Sequence, residues 1–234
     1  MLAYGASNAP LLTINTNSNP EVSNLEVFSA LKIAMLVSLL VLLPSLLMTV
    51  TCFPRIAIVL SMARQALGTA QTPPNQLIIG LALFLTMAIM GSTFERIYNE
   101  AVIPYADDQI GHGEALQRTY APLRDFMLPH TRQQDLELFV EITKTKPPET
   151  PEELGANVVI PAFIVSELNT AFQIGFLIYL PFLILDMVVS SVLTSMSMIT
   201  LPPTVISLPI KLILFVMIDG WSLIIGNLVA SYHM

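Results

Sequence analysis

Leu193–Pro203, LTSMSMITLPP, stands between the last two apolar runs of a 234-residue chain. It carries Met196 and Met198 and closes on Pro202-Pro203, a pair that cannot continue a preceding helix. Outward from it, the only formal charge between Leu168 and Ile210 is Asp186, so one long apolar helix must arrive here and another must leave. Methionine is unbranched and polarizable and repacks against varied neighbours, which suits a core gap and equally suits a deformable constriction. On either reading the fold class is an all-α membrane protein built from helical hairpins.

Composition supports that class. The chain is 54% hydrophobic and only 12% charged, against about 25% charged in soluble domains. Its net charge of -7 and lack of clustered Lys and Arg argue against nucleic-acid binding. The single cysteine, Cys52, allows no internal disulfide and no multi-cysteine metal site. Nucleophile triads, phosphate loops and zinc spacings are absent, so no cofactor, metal or enzymatic activity is expected. His112 and His130 fall in a polar region and His233 at the terminus, where solvated or capping roles are the default.

Four segments follow in order. Residues 1–24 form a polar leader, and residues 25–96 a first helical hairpin. Within that hairpin, Ile33–Phe53 and Leu77–Phe94 are uncharged and long enough to span, and Pro44 should kink the first. Pro73-Pro74 mark the turn, with Thr72 as the expected cap of the second helix. Residues 97–160 form a polar insert with eleven acidic and five basic residues, a helix expected over Ala121–Thr143 and a proline-rich linker at Lys146–Pro151. Residues 161–234 form a second hairpin around the methionine-bearing turn. The connection holding Arg55 and Arg64 has no acid, so the positive-inside rule puts it in the cytoplasm and the insert on the periplasmic side.

Charges within apolar segments carry the functional information, because they are costly in hydrocarbon. Glu167, Asp186, Lys211 and Asp219 are these charges, and structural pairing is the default for each. Arg64, Asn75, Asn169, Gln173 and Asn227 add polar groups able to link neighbouring helices.

Longer blocks carry a specific resemblance. PAFIVSELNTAFQIGF at Pro161–Phe176, PFLILD at Pro181–Asp186, RQALG from Arg64, PPNQ from Pro73, LALFLT from Leu81 and KLILFVMIDGW from Lys211 resemble, in this order, the FliP family of bacterial type III export-gate proteins. The resemblance runs from about Leu42 to the C-terminus. It implies kinked helical hairpins with a polar, partly helical insert domain, assembling as a helical ring. By resemblance that ring is a pentamer joined to FliQ and FliR and working with FlhB and FlhA in the inner-membrane basal body, passing unfolded flagellar subunits. It also implies a gate held largely above the plane of the membrane. Met196, Met198 and Ile199 then match the pore constriction, with Met198 alone keeping the family identity. Pro73, Pro74, Pro202 and Pro203 match turn positions, and Glu167 and Lys211 match charged positions expected to pair between adjacent copies. Asn169 stands where the family often has lysine.

Two other function classes compete. An ion-coupled transporter would use Glu167, Asp186 and Asp219 as a proton relay. An intramembrane aspartyl protease would need two aspartates sharing a proton, yet no Gly-x-Gly-Asp or Tyr-Asp motif accompanies Asp219.

Overall fold

A computed structural model describes residues 24–69, 72–144, 150, 153–198 and 201–232. Leader residues 1–23, all but Thr150 of the expected linker, and Ile199 lie outside the described residues. The described residues contain helices and no strand. The chain divides into two compact units, Met1–Pro44 and Ser45–Met234.

Helix α1 spans Asn24–Thr49, with Pro44 inside its bounds. After Val50–Cys52 the chain starts α2 (Phe53–Ala66) on Pro54, whose missing N–H costs nothing in a first turn. Its stripe of Ile56, Val59, Leu60 and Ala63 recurs at helical spacing and is fully buried. Around it pack α3 (Asn75–Ile89) and α8 (Ala156–Ser195), with α9 (Pro203–Met217) and α10 (Gly220–Ala230) completing one core through Phe215, Ile224 and Leu228.

The expected span Leu77–Phe94 is not one straight helix. It breaks at Met90 (φ -93, ψ 11), and α3 bends by 66° into the helical run Gly91–Ala106. That run comprises α4 (Gly91–Ile97), one π turn and α5 (Ile103–Ala106). Similarly, α9 and α10 bend by 61° where Asp219 adopts φ 51. The expected Ala121–Thr143 helix also divides: α6 (His112–Met127) starts earlier, Leu128–His130 forms a 3-10 turn at Pro129, and α7 (Gln133–Thr143) follows. Proline explains that break, since it lacks the N–H needed by an interior turn. Thr72 is not a cap either; Pro74 in extended conformation precedes α3, whose first residue is Asn75.

Helix α8 is the one described helix long and apolar enough by itself to cross a membrane, and each bent pair adds a further candidate. At 1.5 Å per residue its 40 residues extend about 60 Å, twice the hydrocarbon thickness. Its two halves have different surroundings. Val158, Val159, Ala162, Phe163, Ser166, Glu167 and Ala171 are buried in the first half. Phe176, Leu177, Met187, Val188 and Val192 are all at least half exposed in the second. The insert belongs with the first half: Met127 and Leu154 share a core with Val158, Val159 and Phe163.

Candidate functional site

The methionine turn is built by the end of α8. Ser197 takes the left-handed conformation at φ 60. Its N–H reaches the carbonyl of Thr194 at 3.0 Å, while that of Met198 reaches Leu193 at 3.0 Å. This pair of bonds is a Schellman closure, with serine where glycine is usual. Leu193 is buried, whereas Met196 and Met198 are 63% and 38% exposed. The turn thus presents both thioethers outward, at the end of an α8 half that already shows an apolar face. Pro202 (φ -63, ψ 124) then leads into α9. Pro74 (φ -61, ψ 152) does the same for α3, so each double proline opens a helix after an extended residue.

Charged groups turn inward instead. Glu167 is completely buried, and its carboxylate accepts from Arg55 Nε at 3.0 Å and from a second guanidinium nitrogen. It also accepts from the Tyr232 hydroxyl at 2.5 Å. Burial, and then the negative carboxylate beside it, push the Tyr232 phenol far above its ordinary pKa, so it remains a donor. The Arg55 guanidinium lies 4.0 Å over the Tyr232 ring and donates to Ser231 Oγ at 3.2 Å. Tyr232 stacks on Phe126 and contacts His130, bringing the polar insert to the same point. Ser166, one residue before Glu167, accepts from the Arg132 backbone N–H at 3.0 Å and donates to the His130 carbonyl at 3.3 Å.

A second cluster lies further along α8. Lys211 Nζ donates to Asp186 Oδ2 at 2.6 Å and to the Ala66 carbonyl at 3.3 Å, and Ser207 Oγ donates to Asp186 Oδ1 at 2.6 Å. The bonds join the end of α2, the second half of α8 and the central turns of α9. Glu167 and Lys211, expected to pair between adjacent copies, each have another partner within the chain, Arg55 and Asp186. The physical reason is separation: Asp186 is 19 residues beyond Glu167, about 28 Å along a helix. Lys211 meets the nearer acid.

Among the remaining expected positions, Arg64 and Asn75 do come together, the guanidinium donating to Asn75 Oδ1 at 2.6 Å and to the Pro73 carbonyl at 3.0 Å. Gln173 is exposed, and Asp219 marks the α9–α10 bend as an exposed residue. Gly175 is a contact site, since a Cβ there would lie 2.3 Å from Met62 Sδ. Sequence reasoning missed Arg55, Tyr232, His130 and Ser207 as members of these clusters. For Arg55 a signal existed, because it stands four residues before buried Val59. For Tyr232, next to the end of the chain, there was none. No group of three or more described His, Cys, Asp or Glu side chains is placed to hold a metal ion.

Comparison with known proteins gives one consistent result. Residues 36–228 match the FliP family. The flagellar biosynthetic protein FliP of Bacillus subtilis (strain 168) is 48% identical over 221 residues, covering 94% of this chain and 98% of the relative. That of Aquifex aeolicus (strain VF5) is 48% identical over 206 residues, covering 87% and 86%. That of Pectobacterium carotovorum is 48% identical over 198 residues, covering 85% and 77%.

Proposed function

This chain belongs to the FliP family, and from that premise we propose that it is a pore-forming structural subunit of the flagellar type III protein export gate. It is a membrane-associated component of flagellar biosynthesis. Copies of it form a ring, a pentamer by resemblance, with FliQ and FliR, and work with FlhB and FlhA in the inner membrane. The insert lies on the periplasmic side. Unfolded flagellar subunits pass a constriction formed by Met196, Met198 and Ile199.

One observation carries this reading: Met196 and Met198 are exposed on a hydrogen-bonded turn, while Glu167 and Lys211 are buried in ion pairs. A rigid turn that displays flexible apolar side chains can close around varied polypeptides and exclude water when idle. Charges locked in pairs hold the helices that carry the turn. The alternative proton relay finds less support, because Glu167 and Asp186 each face a cation and stand about 28 Å apart along α8.

Deleting Met196–Ile199 tests the proposal. The expected outcome is a complex that still assembles with FliQ and FliR but conducts ions across the inner membrane. Unchanged conductance in an assembled complex would return the segment to ordinary packing.

A further inference from the structure

His130 stands where the polar insert meets the end of the chain, and both nitrogens of its half-buried ring face backbone carbonyls. Nδ1 lies 2.6 Å from the carbonyl oxygen of Phe126, in the last turn of α6, and Nε2 lies 3.4 Å from that of Tyr232. A carbonyl oxygen can only accept, so each contact is a hydrogen bond only where the ring nitrogen carries a proton. Neutral imidazole has one such proton and imidazolium has two. The neutral ring can keep the shorter bond, to Phe126, but it then turns a lone pair toward the Tyr232 carbonyl.

Neighbouring groups hold the ring in this position. The rings of Phe126 and Tyr232 lie 4.8 and 5.1 Å from it, and Ser166 on α8 donates to the His130 carbonyl at 3.3 Å. Charged groups around it come as pairs: Glu167 on α8 with Arg55 on α2, and Arg132 with Asp135 at the start of α7. The Tyr232 hydroxyl donates to Glu167 and adds no charge. Neither pair sets a net charge against a second ring proton, and the carbonyl end of α6 attracts a cation.

We propose that His130 is a proton-sensitive latch between the insert and the C-terminal segment. With both ring nitrogens protonated it ties the Phe126 carbonyl to that of Tyr232; with one proton lost it lets Tyr232 go. Histidine is the side chain that changes charge between about pH 5 and 8, so acid closes the latch and alkali opens it. The opening is local, because Tyr232 also donates to Glu167 and stacks on Phe126. Losing one bond loosens this corner and leaves the helical core folded. The latch goes beyond the export-gate reading and stands without it.

Hydrogen exchange of the full-length chain in detergent, at about pH 5.5 and about pH 8, brackets the histidine range. Expressed as protection factors, it is free of the intrinsic pH dependence of amide exchange. Protection across residues 127–135 should be about fivefold higher at the lower pH, the ratio for one hydrogen bond. Residues 215–225, at the α9–α10 bend, should show no such change. His130→Gln should remove the difference, since its amide does not titrate. The chain has three histidines, and the double variant His112→Gln with His233→Gln, which retains His130 alone, should keep the difference. That variant also decides the matter if His130→Gln does not fold. Equal protection at the two pH values in the unaltered chain, or its loss of pH dependence in the double variant, overturns the proposal. So does a difference that survives His130→Gln, which would assign the titration to Glu167.

Discussion

Arg55 and Glu167 show why a charged residue can be retained in so apolar a chain. They are 3% and 0% exposed, and Tyr232 and Ser231 take further hydrogen bonds around them. Removing one member leaves the other charge buried alone, a loss of about 3–5 kcal/mol, whereas replacing both with apolar groups of similar volume is often near neutral. Glu167→Gln should therefore sharply lower the yield of folded protein in membranes, and Arg55→Met with Glu167→Met should restore it. Detergent-solubilised thermal unfolding measures both. Pairing between copies makes a different prediction: Glu167→Lys would then be rescued by Lys211→Glu and not by Arg55→Glu. Cys52 is the quieter case. Its thiol is completely buried in the core around α2, a packing group and not a reactive one.

Among the helices, the bends matter more than the lengths. Gly220 opens α10 directly after the Asp219 bend, and a Cβ on it would lie 2.2 Å from the Phe215 ring. That ring has no room to yield, being 4% exposed and packed by Phe182 and Trp221. Gly220→Ala should cost about 1–3 kcal/mol through overpacking, or about 2–12 °C in Tm for a chain of this size. A change within 1 °C would mean that the α9–α10 bend opens freely. Gly175 gives the contrast. Its nearest neighbour is the thioether end of Met62, which can swing aside, so the same substitution there should be milder. The Schellman turn at Ser197 makes the same point about local structure: a helix that stops by its own hydrogen bonds presents Met196 and Met198 in one defined geometry.

Across the molecule, the C-terminal residues act as a fastener. Tyr232 joins Arg55 on α2, Glu167 on α8 and the Phe126–His130 corner of the insert. Removing residues 231–234 should leave the helices in place but loosen the insert, with amide exchange across residues 127–135 faster by about tenfold or more, the equivalent of about 1.4 kcal/mol. Exchange that matches the full chain would show that the Met127–Phe163 core alone holds the insert.

The all-helical class, the family and the presence of costly charges at Glu167, Asp186 and Lys211 are legible in the sequence, as are the double prolines that precede α3 and α9. These are legible because hydropathy, proline geometry and charge desolvation act over short stretches of chain. Which charges meet depends on the folded packing: Arg55 with Glu167 is a contact across 112 positions, and Lys211 with Asp186 one across 25. It also decided where apparently continuous apolar runs bend, at Met90 and Asp219. Periodicity within one segment holds no information about the surface opposite it, and so neither the partner of a buried charge nor the bend that brings it there is written in local pattern.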